Sequence, residues 1–473
     1  MEMPTVIEAA RLVRSGELSA VELTEESLRL IKATNDELNA FVYLDAEGAL
    51  GAAADVDRVV RVGQQNQLGP LAGIPFGVKD LEDCAGMPTT KGSRWYANEP
   101  AKTSDSIQVA RLRASGAIPL GKTATPEFGA WAYTASPLLG VTRNPWNLER
   151  TPGGSSGGSS AAVSSGMVPF ATASDGGGSI RTPASFTGLV GLRTTYGRIP
   201  TLGDTHLAQN SVSGSLTTSV ADTALLLDLV AGPDPRDRTC LPAPSASYVD
   251  SLTEIDCKEL RITWSSDLGF ALVDAEVAAI CEQAAKNFAA SLGIRLINRP
   301  ILLEDYSLTY ANIEGVDRFI DIERKLYEER LDEVDPLSAP GWKHFLARTL
   351  PQAAETESAR RKLAVEVAAL FDDIDLLLTP MASVPPFPAE GPMPTVIGDT
   401  KVHRGMSVVL CFLASLVNLP AMSVPAGITN GGLPVGLQVV GPRFREDLVL
   451  AASARYESAH PWPRLSPRRT QFS

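Results

Sequence analysis

The sequence predicts an α/β protein with one large, mixed and mostly parallel sheet that is flanked by helices. Three observations lead to this class. Short apolar segments of strand length alternate with longer segments of helical periodicity, and few hairpin signals separate the strands. Hydrophobic residues make up 44% of the 473 residues, which is ordinary for a globular chain with a large core.

The first elements are two helices, a strand and a surface helix. Thr5 can cap a helix that reaches about Ser15, and Ser19 can cap a second helix because the residues after it fit the capping-box pattern. A strand at 41–44 follows, and then an alanine-rich helix at 46–62.

The next strand ends at a lysine. Ile74, Phe76 and Val78 alternate with other residues, so we expect a strand with one face on the core. Lys79 comes at the end of this strand, where a lysine is usually a surface charge that has emerged from the sheet. A helix at 103–115 is expected after it.

One segment matches a nucleotide-binding motif in its letters alone. Residues 116–123 satisfy the Walker A pattern, whose loop must present consecutive backbone N–H groups to phosphate before a helix. Here the middle is predicted as a strand at 117–120, Pro119 lacks an N–H, and Thr125-Pro126 prevents an immediate helix. We therefore do not expect nucleotide binding at this segment.

Residues 151–181 form the most distinctive stretch of the chain. Two Gly/Ser clusters, 151–160 and 174–181, flank an apolar run, and no charged side chain lies between Arg150 and Asp175. We expect a glycine loop, a buried helix, a short strand and a second glycine loop, because glycine allows sharp bends and close approach of the backbone. Two such loops can bring two sets of serines together.

The first cluster also matches a serine nucleophile motif. Residues 153–157 fit the nucleophile elbow of α/β-hydrolases, and His403 or His460 could in principle complete a triad. The elbow needs an apolar strand immediately before it, whereas 143–152 has the composition of a loop. An α/β-hydrolase is therefore disfavoured.

A serine hydroxyl needs a base, and no histidine lies in or near this stretch. The charged candidates near it are Lys79, Asp80, Asp175 and Arg181. Arginine cannot give up its proton, whereas burial can lower the pKa of a lysine until it acts as a base. Serine–lysine catalysis therefore remains open, and the glycine run before Ser179 could hold a negative oxygen through free backbone N–H groups.

The remaining elements follow from the same patterns, with a change of character between 236 and 375. In that region charges become common, glycine becomes rare and long amphipathic helices appear. The predicted strands are at 188–193, 260–264, 375–380, 421–425 and 436–441. The predicted helices are at 221–231, 277–292, 355–372, 408–417 and 447–458, and the predicted loops are at 336–342 and 381–401.

Charge and composition disfavour several classes. The net charge of -13 argues against a nucleic-acid surface. The N-terminus has no signal-peptide pattern, and the apolar runs are far shorter than the roughly 20 residues that span a membrane. An odd number of scattered cysteines predicts free thiols in a reducing, cytoplasmic setting: Cys84, Cys240, Cys257, Cys281 and Cys411. No metal site is expected, because the histidines are far apart in sequence: His206, His344, His403 and His460.

Several of these motifs together resemble the amidase signature family of serine hydrolases. The resemblance covers nearly the whole chain and implies one amidase domain over 1–473. Within it we expect a signature core at about 67–235, a divergent helical substrate region at about 236–375 and a C-terminal return to the core at 376–473. The matching segments are Val78 to Asp80, Pro152 to Ser160, Asp175 to Ala184, Tyr196 to Arg198, Asp375 to Pro380 and Leu433 to Gly441.

The resemblance implies a Ser–cis-Ser–Lys triad. Ser179 matches the nucleophile, Ser155 the bridging serine that follows a cis peptide bond, and Lys79 the base. The implied oxyanion hole consists of the backbone N–H groups of Gly176, Gly177, Gly178 and Ser179. Supporting roles are implied for Asp175, Arg181 and Ser156, and no metal or organic cofactor is implied.

Three positions bear on specificity. Gly176 stands where the family often has a bulkier residue, which would loosen the oxyanion turn or widen the pocket. Tyr133 and Thr134 are predicted to line the substrate pocket. The family's common Lys-Pro is Arg193-Thr194 here, a change that we expect to be neutral for the chemistry.

The activity that the resemblance implies is hydrolysis of small or aryl amides. Two alternatives stay open: a carbamate hydrolase that uses the same acyl chemistry, and the glutamine-hydrolysing A subunit of a tRNA-dependent amidotransferase. The segments 142–147 and 232–237 look more like the stand-alone branch. A non-catalytic binding protein is disfavoured, because binding alone would not require the three triad residues. A homodimer is expected by analogy alone, with no nucleic-acid or membrane partner.

Overall fold

A computed structural model of the protein describes residues 3–202, 209–318 and 329–467. Ten strands form its central sheet: β1 (Phe41–Leu44), β2 (Pro75–Lys79), β3 (Ile118–Thr123), β4 (Phe170–Asp175), β5 (Val190–Arg193), β6 (Val212–Thr217), β7 (Ile262–Trp264), β8 (Leu376–Pro380), β9 (Ala421–Ile428) and β10 (Pro434–Val440). Their order across the sheet is β1-β3-β2-β4-β6-β5-β9-β10-β8-β7.

Helices precede, connect and follow these strands and flank the sheet. In chain order they are α1 (Val6–Ser15), α2 (Ala20–Leu38), α3 (Ala46–Arg61), α4 (Ile107–Ala114), α5 (Gly157–Ser164), α6 (Arg181–Thr187), α7 (Val220–Val230), α8 (Tyr248–Glu254), α9 (Ala275–Ser291), α10 (Ser307–Arg318), α11 (Ala339–Leu346), α12 (Leu350–Asp373), α13 (Val409–Leu416) and α14 (Glu446–Ala459). None of these described helices is long and apolar enough to cross a lipid bilayer.

The mixed character of the sheet is confirmed, but the expectation that it is mostly parallel is wrong. Of the nine strand pairs in the described sheet, β2–β3, β2–β4 and β7–β8 are parallel, and the other six are antiparallel. Two features cause this. Strand β6 lies antiparallel between β4 and β5, and β9 and β10 form a hairpin over the turn at Asn430-Gly431-Gly432.

Most predicted elements appear near their expected bounds. Thr5 caps α1, and Ser19 forms the expected reciprocal capping box at the start of α2. Helix α4 begins later than predicted because Ser106 caps it. The predicted loop at 336–342 is wrong in its second half, where α11 begins at Ala339 with a proline in its first turn.

The central strand β2 carries the lysine that the sequence left open. Every residue of β2 is buried, whereas we expected only one face on the core. Strands β3 and β4 pair with its two edges, and helices α2 and α5 pack on it. The ring of Phe76 stacks on Phe170 of β4 at 5.0 Å. Lys79 is completely buried, so the interpretation as a surface charge is wrong.

The segments that match the Walker A pattern and the nucleophile-elbow pattern in sequence do not have the structures of those motifs. Residues 116–123 form a turn and the buried strand β3, so no phosphate-binding loop is present there. Residues 153–157 follow a loop rather than a strand, and α5 begins at Gly157. The second of these motifs nevertheless lies at the candidate site.

Candidate active site

Lys79 contacts serines of both Gly/Ser clusters through its side-chain nitrogen. The lysine is at the end of β2, and its Nζ donates to the hydroxyl oxygens of Ser155 at 2.8 Å, Ser156 at 2.8 Å and Ser174 at 2.9 Å. Ser155 and Ser156 come from the loop before α5, and Ser174 from the end of β4. The structure therefore brings together the two sets of serines, with one lysine between them.

Burial of Lys79 lowers its pKa to about 7, although the negative charges of Glu82 and Asp175 favour the charged form. A neutral amine has two N–H donors and one lone pair. With three hydroxyls around Nζ, the neutral form can donate to two of them and accept a proton from the third. This arrangement suits a proton acceptor near neutral pH.

Ser155 and Ser179 face the same cavity, which has a volume of about 580 Å³. Ser155 follows a cis peptide bond from Gly154, as the resemblance implied. Lys79 lies behind Ser155 and does not line the cavity. Within the described ranges, the Ser179 hydroxyl makes no hydrogen bond, and none joins it to Ser155.

The second glycine loop leaves backbone N–H groups near Ser179, but fewer than the resemblance implied. The Gly178 N–H donates to the Asp175 carboxylate at 2.7 Å, so it is not available to an oxyanion. The N–H groups of Gly176, Gly177 and Ser179 have no hydrogen-bond acceptor among the described residues, and all three residues line the cavity. The candidate oxyanion hole is thus reduced to these three positions.

Asp175 holds this loop in its shape. Its carboxylate accepts two hydrogen bonds from the Arg181 guanidinium, both at 2.9 Å, and Arg193 lies 3.5 Å from it. All three side chains are completely buried. Burial alone would raise the pKa of Asp175, but the two guanidinium groups and the Gly178 N–H hold it well below its usual range.

A family model described as Amidase matches residues 22–450. The chain belongs to the amidase family. It is 35% identical to an acylamidase of Rhodococcus erythropolis, over 97% of this chain and 96% of that protein. It is also 34% identical to the A subunit of the glutamyl-tRNA(Gln) amidotransferase of Chloroflexus aggregans, over 98% of each. The solved structure of a bacterial aryl acylamidase of the amidase signature family superposes with a TM-score of 0.90 at 28% identity, over 98% of this chain and 97% of that one.

The wall of the amidase cavity is rich in aromatic rings. Tyr310 stacks on Phe412 at 3.7 Å, and Phe128 lies 5.3 Å from Trp342. The indole N–H of Trp131 donates to Ser338 at 2.9 Å, which fixes the ring at the wall. Among the residues that the structure describes, six aromatic side chains line the cavity: Phe128, Trp131, Tyr310, Trp342, Phe345 and Phe412.

The prediction that Tyr133 and Thr134 line the substrate pocket is wrong. Both are buried behind the first glycine loop, where the Thr134 hydroxyl donates to the Gly153 carbonyl at 2.9 Å. The backbone of Tyr133 lies so close to Gly154 that a side chain at position 154 would clash with it. These residues support the loop, and their neighbours Trp131 and Ala132 line the cavity instead.

Sequence reasoning missed Ser174 as a partner of Lys79, although Ser174 directly precedes Asp175 in the second cluster. It also missed the cavity-lining rings of α10 and α11, because their positions follow no motif. No group of three or more His, Cys, Asp or Glu side chains in the described ranges could hold a metal ion, and His206 lies outside those ranges.

Replacement of Asp175 by asparagine should destabilise the amidase strongly. The change leaves two buried guanidinium groups without their counter-charge, which typically costs about 3–5 kcal/mol. Urea unfolding of Asp175→Asn against wild type measures this. The control is Asp55→Asn in the exposed Arg58 pair on α3, where little change is expected. Equal unfolding midpoints for both variants would contradict the role of Asp175.

The rate of amide cleavage should fall as the pH drops through about 7. Lys79 has its pKa lowered to about 7 by burial, so it is protonated below that pH and cannot accept the serine proton. Burial also raises the pKa of Glu82 to about 7, so the carboxylate charge that favours protonated Lys79 changes in the same pH range and should broaden the Lys79 titration. Measuring kcat/KM from pH 5.5 to about 9 tests this, and a flat profile would contradict it.

Proposed function

We propose that this amidase hydrolyses small aryl amides through an acyl-enzyme on Ser179. The observation that carries the proposal is the Lys79–Ser155 contact of 2.8 Å at the floor of a cavity walled by aromatic rings. The similarity to an acylamidase and to an aryl acylamidase supports the same substrate class.

In the proposed mechanism, neutral Lys79 takes a proton from Ser155, which takes one from Ser179. The Ser179 oxygen then bonds to the carbonyl carbon, and the carbonyl electron pair moves to oxygen. The N–H groups of Gly176, Gly177 and Ser179 stabilise that oxyanion. The proton returns through Ser155 to the leaving amine as the carbon–nitrogen bond breaks. Water, activated along the same path, then hydrolyses the acyl-enzyme.

The cavity wall is built from two parts of the chain, and we propose a separate role for each part. The triad and the glycine turn come from the proposed core at 67–235. Tyr310, Trp342 and Phe345 come from the divergent region at 236–375, so we propose that this region selects the substrate. The five cysteines are free thiols in the structure, which supports the proposed reducing, cytoplasmic setting. A homodimer stays a prediction.

One comparison of substrates tests the proposal. Wild-type protein would be assayed with an acyl anilide, a primary aliphatic amide, glutamine and an aryl carbamate. We expect a higher kcat/KM for the anilide than for the aliphatic amide or glutamine, because its aryl leaving group fills the aromatic cavity and these two substrates have no such group. The carbamate should also react, since the same carbonyl chemistry serves it.

Two results would reject the proposed substrate class. Preference for glutamine would favour the role of an amidotransferase component, since the chain is also similar to such a protein. A preference for the carbamate over the anilide would favour a urethane hydrolase with the same triad. A Trp342→Ala variant provides the control within the protein: its KM should rise for the anilide more than for the aliphatic amide.

A further inference from the structure

The glycine turn that leads to Ser179 has little rigidity of its own. Gly176, Gly177 and Gly178 follow one another, and Gly178 has a φ of 105°, in a region that favours glycine. Glycine backbones adopt many conformations, whereas an oxyanion hole stabilises charge only if its N–H groups are already oriented. Contacts from outside the turn must therefore hold it in shape.

The peptide unit between Gly177 and Gly178 is held at both ends. Its N–H donates to the Asp175 carboxylate at 2.7 Å, and its carbonyl accepts from the Cys411 thiol over 3.1 Å. In the part of the chain that the structure describes, this thiol is the only hydrogen-bond donor to the Gly177 carbonyl. The sulfur also occupies the space beside Gly178, because a Cβ at that position would lie only 2.3 Å from it.

Cys411 reaches the turn from helix α13. It is completely buried, and its Sγ also lies 2.7 Å from the Val408 carbonyl, so the two carbonyls share the single thiol hydrogen. Burial raises the pKa of Cys411 to about 12, so the thiol keeps this hydrogen at neutral pH. Helix α13 contacts the same loop a second time, since the Arg181 guanidinium donates to Ser415 at 3.1 Å.

We propose that Cys411 is a positioning residue that orients the oxyanion hole through the carbonyl of Gly177. The C=O and N–H groups of a trans peptide point in opposite directions. A Gly177 carbonyl that turned toward the cavity would repel an oxyanion and would change the direction of the N–H groups on either side of it. Cys411 does not line the cavity, so it acts only through the turn. The inference rests on the nucleophile and the oxyanion hole of the proposed function, not on its substrate class.

Three variants of the full-length protein separate the hydrogen bond from the packing. Cys411→Ala removes both, Cys411→Val removes the donor but fills most of the space, and Cys411→Ser keeps a hydroxyl donor with a shorter reach. We expect the alanine and valine variants to lower kcat for the acyl anilide about tenfold with KM within about twofold, and the serine variant to lie within about threefold of wild type.

A reversible inhibitor measures the orientation of the turn directly. The Ser179 oxygen bonds to the carbonyl carbon of an aryl trifluoromethyl ketone, its proton passes through Ser155 to Lys79, and the carbonyl electron pair moves to oxygen in the oxyanion hole. The corresponding alcohol has the same aryl group but cannot form this adduct. In the two donor-free variants, we expect the inhibition constant of the ketone to rise about tenfold and that of the alcohol to stay within about twofold.

The control for lost packing is Val409→Ala. Val409 is also completely buried on α13, but it has no hydrogen bond to the glycine turn among the described residues. Thermal unfolding of the same samples should show a loss of stability in this control, while the ratio of its two inhibition constants should remain that of wild type. If Cys411→Ala does not fold, the comparison of Cys411→Val with Cys411→Ser decides alone.

An unchanged ratio of the two inhibition constants in the donor-free variants would overturn the inference, as would a serine variant that is no better than the valine variant. Failure of the ketone to bind wild type would also overturn it, since the turn would then hold no oxyanion. Cleavage of the anilide by wild type tests the proposed function separately. If the ketone showed the expected pattern but the anilide were not cleaved, the substrate class would be wrong and the role of Cys411 would stand.

Discussion

Replacing Ser179 by alanine should lower kcat for anilide cleavage by on the order of 10⁴-fold or more. The change removes the only oxygen proposed to bond to the substrate carbonyl. Ser155 cannot easily replace it, because its hydroxyl is held against the Lys79 amine at 2.8 Å. Ser179 is only partly buried and its hydroxyl makes no hydrogen bond among the described residues, so the fold should keep its stability. Steady-state rates and a thermal unfolding curve measure both effects.

The matched control for Ser179→Ala is Ser213→Ala. Ser213 lies opposite Ser174 in the β4–β6 pair and lines the same cavity, but it is not in the glycine turn. We expect its replacement to change kcat no more than a few-fold. If Ser179→Ala keeps wild-type turnover in protein free of wild-type contamination, the nucleophile has been assigned to the wrong serine.

The sequence determines much of this fold through local patterns. The capping residues Thr5 and Ser19 and the apolar segments of β2 and β4 are readable because each acts through neighbouring residues. Strand β6 was missed for the opposite reason. Its sequence, Val212 to Thr217, is rich in small polar residues, and its position depends on backbone pairing with β4 and β5, which are distant along the chain.

The same distinction between local patterns and long-range contacts applies to the candidate site. The Gly/Ser motif indicated Lys79, Ser155 and Ser179 by resemblance, and the structure brings the first two into contact and places both serines on one cavity. The motif does not show that the Gly178 N–H is hydrogen-bonded to Asp175. This bond depends on how the glycine turn folds back onto the Asp175 carboxylate.

The effect of having no side chain at Gly176 also depends on which residues lie next to it in the folded protein. A Cβ at Gly176 would lie 3.4 Å from the Glu314 carboxylate, and one at Gly177 would clash with the Tyr310 hydroxyl. Both partners belong to α10 in the divergent region, so the glycine turn is covered by a helix that no motif identifies. At Gly176 the contact is an ordinary one and the residue lines the cavity, so the expected looser turn or wider pocket stays a prediction.

Replacing Lys79 by methionine should lower kcat/KM by about 10²–10⁴-fold, the usual contribution of a general base. Methionine keeps an unbranched apolar side chain in the buried strand but cannot accept a proton. The variant also loses the acid limb of the pH profile near 7, since the group with the lowered pKa is gone. Rates measured from pH 6 to about 9 would show a low activity that no longer rises through 7.

A comparison of variants at two neighbouring serines tests whether the proton passes through Ser155 or whether these hydroxyls only hold Lys79 in place. Ser155 and Ser156 both accept from Nζ at 2.8 Å, but only Ser155 lines the cavity. If the proton passes through Ser155, then Ser155→Ala should approach the loss seen in Lys79→Met, while Ser156→Ala should retain most activity. Similar losses in both serine variants would mean that the two hydroxyls act by holding the lysine in place, and the bridging role of Ser155 would have to be abandoned.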